Sequence, residues 1–352
     1  MRPSRSLESR PMSNLPSRRS RRGTGAVTLH DVALLAGVAP ITASRALNTP
    51  SQVSAEVLRR VQDAVASSGY VPNRLAGALA SSRSRLVAAV VPTISGPVFQ
   101  NTVHALNEAL AAADYQLMLG QSGYEENRED ALLDAIISRR PDGIVLTGIM
   151  HSDQGRQKLL AAGIPVVETW DLTSSPIDMI VGFSHADAGS EVAAFLHARG
   201  RRRLGLVAGH DERARRRTQA FVDTAKALGM PEPHQVVVTA PTTMRSGRTA
   251  LRQMLECETA LDAVFCSSDL LALGVLAEAH AQGLKVPDDL ALVGFGDQEF
   301  AADAYPALTS VHIKGAAIGT QAARFILDRV QGQAIDQRVV DIGFSIVERE
   351  TT

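Results

Sequence analysis

The sequence has few cysteines, few aromatic residues and no long apolar run, and each absence excludes a class of protein. Only Cys257 and Cys266 occur in 352 residues, which argues against a disulfide framework and favours a reducing, cytoplasmic setting. No run of about 18 apolar residues exists, so no membrane span is expected. The basic N-terminus lacks the apolar segment of a secretory signal. We therefore expect a cytoplasmic protein of two or three domains.

The motifs of common enzyme and metal sites are also missing from the sequence. It contains no HExxH run, no Cys/His cluster with zinc spacing, no GxSxG, no P-loop and no GxGxxG that opens a helix. His210 and Asp211 are adjacent, but one such pair is weak support for catalysis. No residue needs a cofactor, a metal or a catalytic role to explain it, so the sequence favours a binding protein over an enzyme.

The net charge of -1 hides a basic N-terminal segment. Residues 1–25 carry seven arginines against one acid, Glu8, and are rich in Ser and Pro, which predicts disorder. Such a segment can contact nucleic-acid phosphates. The alternative is a solvated leader ahead of a start at Met12, and the sequence slightly favours the leader.

Residues 29–68 hold three short helical patterns separated by stop signals. Thr28 is a suitable N-cap for the first helix, and Gly37 can end that helix in the left-handed conformation. Pro40 suits the first turn of the second helix, where no backbone donor is needed. Ser54 is placed to cap the third helix.

Apolar residues at helical spacing predict that these three helices share one small core. We expect Val32, Leu35 and Ala36 to form the apolar face of the first helix. Two short helices joined by a Gly-containing turn and backed by a third are typical of a helix-turn-helix, whose second helix lies in the DNA major groove. The alternative is a helical hairpin that only packs on its neighbours.

After Leu86 short apolar runs alternate with helical patterns. The runs read, in order, LVAAVVP, YQLMLGQ, DGIVLTG, GIPVVETW, MIVGF, RRLGLVAG, HQVVVTA, DAVFCSS and LALVGFGD. Alternating strands and helices predict doubly wound parallel sheets, and this many strands exceeds one sheet of usual size. We therefore predict two α/β subdomains with a ligand cleft at their strand ends.

Two long segments, VTLHDVALLAGVAPITASRALN and VSAEVLRRVQDAVASSGYVPNRLAGALA, resemble the headpiece of the lactose-repressor (LacI/GalR) family. The resemblance continues through PDGIVLTG, AGIPVVE, DAVFCSSDLLALGV, GLKVPDDLALVGF and LTSVHIK, and so covers about residues 26–348. It implies a sequence-specific DNA-binding transcriptional regulator of carbohydrate catabolism genes, and a repressor is the expected kind. It further implies a helix-turn-helix headpiece and a periplasmic-binding-protein-like α/β effector domain.

The resemblance divides the chain into consecutive parts. They are a disordered basic tail (1–25), a helix-turn-helix DNA-binding domain (26–72), a hinge helix (73–84), and an effector-binding and dimerisation domain (85–352) with an N-subdomain (85–183 plus 313–345) and a C-subdomain (184–312).

The family's DNA contacts map onto the second helix and the hinge. Arg45 can pair bidentately with guanine and Ile41 can touch a thymine methyl. Leu79 matches the hinge leucine that enters the minor groove, a plain linker being the alternative reading of this segment. The DNA-contacting residues so implied are Thr28, Leu29, Pro40, Ile41, Thr42, Ser44, Arg45, Asn48, Ser54, Tyr70, Asn73, Ala76 and Leu79.

The headpiece departs from the family pattern at two positions. Ala39 stands where a Ser or Thr cap is common, which costs about 1 kcal/mol, and Pro40 offsets part of that cost. Ala43 replaces a usual valine and thins the headpiece core. Specific DNA binding is still expected.

The effector residues are implied position by position. Arg217 matches an arginine that the family points at the ligand, Arg213 is the next best match, and some arginines of this run must simply be solvated. Trp170 can stack on a sugar or be a packed core residue. The effector-binding residues so implied are Thr93, Ser95, Phe99, Thr147, Glu168, Trp170, Arg213, Arg217, Ser268 and Asp297.

The ligand class rests on finer resemblance. PVFQ, PVVETWD, MIVGFSHADAG, DERxR and DAVFCSSD resemble the gluconate-utilisation and 2-ketogluconate repressors of the family. Gly296 stands where many sugar-sensing relatives have an acid, which suits an anionic ligand. The implied effector is a sugar acid, either gluconate or a keto- or phospho-derivative.

The implied partners are a pseudo-palindromic double-stranded DNA operator and a second copy of the chain. The ending IVERETT lacks a leucine heptad, which favours a homodimer over a tetramer. The alternatives are a transport-type sugar-binding protein and an α/β enzyme, both without specific DNA binding. The missing secretory signal argues against the first, and the missing catalytic motifs argue against the second.

Overall fold

The computed structural model describes residues 27–71, 83–123, 126–149, 152–257 and 260–352. The chain divides between Ser82 and Arg83 into two compact units. We call residues 27–71 the headpiece and residues 83–352 the effector unit. No helix in the described residues is long and apolar enough to cross a membrane. The predicted tail (1–25) and the hinge residues Asn73, Ala76 and Leu79 lie outside the described residues.

The headpiece begins with two short helices, α1 (Leu29–Ala36) and α2 (Pro40–Asn48). The Thr28 hydroxyl accepts from the backbone N–H of Asp31, and the Asp31 carboxylate accepts from the backbone N–H of Thr28, so a capping box starts α1. Gly37 ends α1 with φ of 63°. Pro40 opens α2 after Ala39, which supplies no side-chain cap. These local predictions are confirmed.

The third helix, α3 (Ala55–Ser68), follows a short 3-10 turn and is capped by Ser54, as predicted. The prediction that Leu35 belongs to the buried face of α1 is wrong, because Leu35 is 63% exposed and Ala33 is 1% exposed. At 100° per residue, positions 33 and 35 lie on opposite sides of the apolar stripe that contains Val32. The helical spacing alone is therefore compatible with burial of either residue. The smaller side chain is the one buried in the headpiece core.

The effector unit contains two six-stranded sheets, which confirms the predicted doubly wound α/β class. The first sheet has the order β11-β5-β4-β3-β1-β2 and is parallel throughout. Its strands are β1 (Leu86–Val91), β2 (Gln116–Gln121), β3 (Gly143–Thr147), β4 (Val166–Thr169), β5 (Met179–Gly182) and β11 (Val339–Asp341).

The second sheet has the order β12-β10-β9-β8-β6-β7, with only the β10–β12 pair antiparallel. Its strands are β6 (Leu204–Gly209), β7 (His234–Val238), β8 (Ala263–Cys266), β9 (Ala291–Gly296), β10 (Thr309–Ile313) and β12 (Phe344–Val347). The chain therefore passes between the sheets after β5, after β10 and after β11. The structure assigns each strand to one of the two sheets. The predicted subdomain boundaries stay predictions.

Helices cover these sheets. They are α4 (Gln100–Ala111), α5 (Glu126–Ile137), α6 (Asp153–Ala162), α7 (His185–Ala198), α8 (Glu212–Ala227), α9 (Met244–Cys257), α10 (Asp269–Ala281), α11 (Glu299–Asp303) and α12 (Gly315–Val330). Residues Val87 to Val91 are all buried, as a parallel strand covered on both faces requires. Burial of this apolar surface fixes the strand ends that carry the candidate effector site.

Candidate DNA-reading face and effector cavity

The second headpiece helix presents an outer face that carries both polar and apolar side chains. Ala43 and Ala46 are buried toward the headpiece core, while Ile41 is 62% exposed. Arg45 and Asn48 are also exposed, and the spacing of four and then three residues puts these side chains on one face. Pro40 is exposed at the start of the helix. The predicted base-reading residues of α2 therefore share an accessible surface.

Arg45 is the strongest donor on this face. Among residues 27–71 its guanidinium has no hydrogen-bond or ion-pair partner, so its donors are available to a base edge. Asn48 instead donates its amide to the Ser44 carbonyl at 3.0 Å. Thr42 and Ser44 are half-buried.

The other predicted DNA contacts of the headpiece have structural roles. Thr28 and Ser54 are exposed N-caps, with Ser54 accepting from the Val57 N–H at 3.3 Å. Leu29 and Tyr70 are half-buried and pack against the headpiece core. An exposed cap remains close enough to the helix surface to touch a phosphate, so these roles do not compete with DNA contact.

A cavity lies between the two sheets of the effector unit, at the carboxyl ends of their strands. Open α/β sheets bind ligands at this edge. The lining residues come from the loops after β1, β4, β6, β7 and β8, the first turns of α7 and α8, and the end of β9: Thr93, Val98, Phe99, Trp170, His185, Asp211, Arg213, Arg217, Ala240, Pro241, Thr242, Ser267, Ser268 and Phe295. Six predicted effector residues are brought together here, namely Thr93, Phe99, Trp170, Arg213, Arg217 and Ser268.

Arg217 is the most buried cation of this cavity, at 5% exposure. Its guanidinium carbon lies 3.9 Å from the ring centroid of Phe295. Nη1 donates to His185 Nδ1 at 2.7 Å, and Nη2 donates to the Ser267 carbonyl at 3.3 Å. Burial lowers the pKa of Arg217 to about 10, which leaves it charged at neutral pH. Its Nε is buried and has no partner among the described residues.

Arg213 contributes a second donor that lacks a partner. Nη1 of Arg213 is buried and finds no acceptor in the described part of the chain. Its guanidinium carbon lies 5.3 Å from the Phe99 ring centroid, and its Nε is 3.8 Å from Asp211 Oδ1. A buried donor without an acceptor is costly. Two cationic side chains that line one cavity each carry such a donor, and this combination predicts an anionic ligand group.

Trp170 is a packed residue of the cavity wall. It is 3% exposed and makes edge contacts with Phe99 and Phe183, at centroid distances of 5.0 Å and 6.0 Å. Its Nε1 donates to Thr102 Oγ1 at 2.9 Å. The satisfied indole favours the packing interpretation over stacking on a sugar face.

Hydroxyl groups line the side of the cavity formed by the second sheet. Thr242 Oγ1 and Ser268 Oγ are hydrogen-bonded at 2.9 Å, and Ser267 Oγ accepts from the Gly209 N–H at 2.9 Å. Ser268 also caps α10. Hydroxyls both donate and accept, so they suit the hydroxyls of a carbohydrate.

Four predicted effector residues lie outside this lining. Ser95 is exposed in the loop after β1, and Thr147 lines a neighbouring hollow with Arg213 and Arg215. Glu168 is fully buried and accepts from the Ile177 N–H at 2.8 Å. Asp297 contacts His312 at 2.9 Å and Arg349 at 2.8 Å.

An ion pair joins the two halves of the effector unit beside the cavity. Asp171 follows β4 of the first sheet and is 3% exposed, and Arg216 lies on α8 of the second half. Arg216 Nη1 donates to both carboxylate oxygens of Asp171 at 3.0 Å. This contact spans the cleft.

Sequence reasoning missed His185, Thr242 and Phe295. His185 follows β5 at the start of α7, and Phe295 lies at the end of β9, so position at a strand end was the signal. Thr242 follows β7 in the same way. In the residues that the structure describes, no group of three or more His, Cys, Asp or Glu side chains could hold a metal ion.

Comparison with protein families gives two matches. Residues 28–73 match the model described as bacterial regulatory proteins, lacI family, and residues 193–352 match the periplasmic binding protein-like domain. Among curated proteins, the chain is 36% identical over 343 residues to the HTH-type transcriptional regulator GntR of Pseudomonas aeruginosa. That alignment covers 97% of this chain and 100% of the relative.

Solved structures give the same result. A LacI family transcriptional regulator from Silicibacter pomeroyi is similar with a TM-score of 0.88 and 33% identity, over 92% of this chain and 99% of that one. A lac repressor dimer bound to operator and an anti-inducer is similar with a TM-score of 0.79 and 26% identity, over 93% of this chain and 99% of that one.

Proposed function

Because this chain belongs to the LacI family of bacterial regulatory proteins and is a sequence-specific DNA-binding transcriptional regulator, we propose that a sugar acid controls its affinity for an operator. The sugar acid is gluconate or a keto- or phospho-derivative, and the regulated genes serve carbohydrate catabolism. The protein works as a cytoplasmic repressor.

The observation that carries the ligand class is the pair of unpartnered buried donors, Arg213 Nη1 and Arg217 Nε. A carboxylate accepts from several N–H groups at once and matches arginine geometry. The Thr242–Ser268 hydroxyl pair then faces a polyol chain. A neutral sugar would satisfy hydroxyl groups but would leave the two cationic donors without a charged acceptor.

The DNA half of the proposal rests on α2. Arg45 and Ile41 read base edges in the major groove, with Pro40, Thr42, Ser44 and Asn48 around them. A homodimer places two such helices on the half-sites of a pseudo-palindrome. Ligand binding in the cleft favours one arrangement of the dimer and thereby shifts operator affinity.

The second copy is proposed to cover the open edge of the first sheet. β2 is an edge strand of that sheet. Its residue Leu117 is only partly buried, and Leu119 is 44% exposed. Together with Val103 and His104 of α4 they line an open groove of about 930 Å³. Unpaired parallel edges are normally covered, and a twofold contact can cover two at once.

Thermal unfolding of the purified protein against a panel of sugars and sugar acids tests the ligand class. A ligand that binds only the native state adds about 2.7 kcal/mol at a hundred times its dissociation constant. We expect the midpoint to rise with gluconate-type acids and not with glucose or other neutral sugars. A rise with neutral sugars alone would reject the sugar acid and leave the regulator assignment untouched.

A further inference from the structure

His185 is a buried residue of the cavity wall whose two ring nitrogens are both engaged. It is 2% exposed and stands at the first position of α7. Nε2 lies 2.8 Å from the Trp170 carbonyl oxygen, and Nδ1 lies 2.7 Å from Nη1 of Arg217. A carbonyl only accepts, and a guanidinium only donates. The ring is therefore neutral, with its proton on Nε2 and an acceptor lone pair on Nδ1.

The surroundings hold the imidazole in this orientation. Its ring contacts Phe183 at a centroid distance of 4.5 Å and Phe295 at 6.2 Å. Phe295 also carries the Arg217 guanidinium on its face. Gly189 of α7 packs on the backbone of Arg217, since an added Cβ there would lie 2.1 Å from the Arg217 carbonyl oxygen. The two helices thus meet closely where the His185–Arg217 contact forms.

The charged groups near His185 agree with a neutral ring. Burial first, and then the positive charges of Arg217, Arg213 and Arg216, hold the pKa of His185 well below its usual value. The negative charges of Asp211 and Asp171 raise the pKa of Arg217 and favour its charged form. A protonated imidazole would have no acceptor to offer Arg217.

We propose that His185 is a positioning residue for the ligand, because it holds Nη1 of Arg217 and leaves Nε as the donor available to the carboxylate. This inference rests on the proposed function. Without the Nδ1 acceptor, Nη1 would compete for the same carboxylate or rotate toward another acceptor. The guanidinium would lose the orientation in which Nη1 and Nη2 are both held and only Nε is without a partner among the described residues. His185 therefore selects acids over their neutral analogues without touching the carboxylate itself.

Three substitutions separate the two contacts of the ring. In His185→Asn the amide oxygen stands close to the place of Nδ1 and keeps an acceptor for Arg217. In His185→Gln the amide nitrogen stands close to the place of Nε2 and keeps only the donor to Trp170. His185→Phe keeps an aromatic ring between Phe183 and Phe295 but offers neither contact.

Calorimetric titration of the full chain with D-gluconate and with its neutral amide tests the proposal. Hydrogen bonds to charged groups imply that His185→Gln and His185→Phe bind gluconate about 10-fold or more weakly. We expect His185→Asn to stay within about 3-fold of the wild type, and the amide to respond little to any of the three. If His185→Asn loses as much gluconate affinity as His185→Phe, or the acid and amide weaken in parallel, the positioning role is wrong.

A ligand-independent measurement keeps this test separate from the proposed function. The 15N shifts of His185, assigned by their loss in His185→Asn, should report a neutral Nε2–H tautomer at pH 6 and pH 8. An imidazolium or an Nδ1–H tautomer would overturn the His185–Arg217 contact. Wild-type protein that binds no gluconate would instead overturn the ligand class, and the tautomer would then decide the contact alone.

Discussion

The headpiece and the effector unit bury different kinds of side chain. Every buried residue among the described residues 27–71 is apolar, and most are alanines. The effector unit buries charged and polar groups, including His185 and Arg217 in the cavity wall and Asp269 at the start of α10. DNA reading needs donors that an incoming base edge can reach, so Arg45 is exposed. Ligand sensing needs donors that are shielded from water, so Arg217 is buried and Arg213 is half-buried.

This contrast also separates the energetics of the two units. Alanine contributes little apolar area, so the headpiece core is thin and local features such as caps decide a large share of its stability. The effector unit buries Phe183, Phe221 and Phe265 completely. It can therefore tolerate buried donors that stay unsatisfied until the ligand binds.

Replacing the buried arginine should have the largest effect. Arg217→Met keeps a long side chain but removes the charge, and loss of one member of a buried charged contact costs about 2–5 kcal/mol. We expect gluconate affinity to fall by about 30-fold or more, measured by calorimetry, while operator binding without ligand persists. Arg215→Met, on the same helix but at an exposed residue, is the matched control. Equal gluconate affinities of the two variants would contradict the assignment of ligand binding to the buried arginine.

The buried acid of the effector unit should make its stability depend on pH. Burial raises the pKa of Asp269 to about 6. Because the native state holds this proton to higher pH than the unfolded state, the contribution of Asp269 is full below about pH 4 and is lost as the pH rises through 6. Wild type should lose about 2 kcal/mol relative to Asp269→Asn between pH 4.5 and 7 in denaturant unfolding. Parallel curves would show that Asp269 is not protonated in the native state.

Replacing Arg45, the exposed arginine of α2, should impair operator recognition and leave folding intact. Arg45→Ala should weaken binding to the specific operator by about 1–3 kcal/mol, with a much smaller loss on nonspecific DNA. Arg59→Ala removes an arginine of α3 that only faces Asp63 at 3.8 Å, and serves as the control. Fluorescence anisotropy on both DNAs measures the difference. An equal loss on the two DNAs would mean that Arg45 contacts phosphate only.

Repairing the missing cap should have the smallest effect. Ala39→Ser supplies the side-chain acceptor that α2 lacks, and should stabilise the headpiece by about 1 kcal/mol. Thermal unfolding followed by a probe in the headpiece measures it, with Ala39→Val as a control that adds no side-chain acceptor and is as poor an N-cap as alanine. No gain would indicate that Pro40 alone already fixes this helix start.

The sequence predicted the headpiece nearly residue by residue because its signals are local. Thr28, Gly37, Pro40 and Ser54 act within a few residues of themselves, and each has the predicted role. Leu35 is the exception, since the packing of the three helices against each other decides which flank of the apolar stripe is buried.

The effector cavity was predictable in place but not in detail. Its position follows from strand ends, and the resemblance to the family supplied Arg213 and Arg217. Which neighbours complete the site depends on contacts between distant segments, such as His185 of α7 with Arg217 of α8. The position of Asp297 beside Gly296 predicted a ligand contact. Its carboxylate instead pairs with Arg349, which lies more than fifty residues later in the sequence.

Operator binding in the presence of an acid and its neutral amide tests the central claim most directly. A duplex selected by the protein itself from a random pool is titrated by anisotropy, with and without saturating D-gluconate or D-gluconamide. The account predicts that gluconate changes the operator affinity of the wild type, that the amide does not, and that Arg217→Met responds to neither. An operator affinity that ignores gluconate, or that responds equally to the amide, would contradict control by a sugar acid.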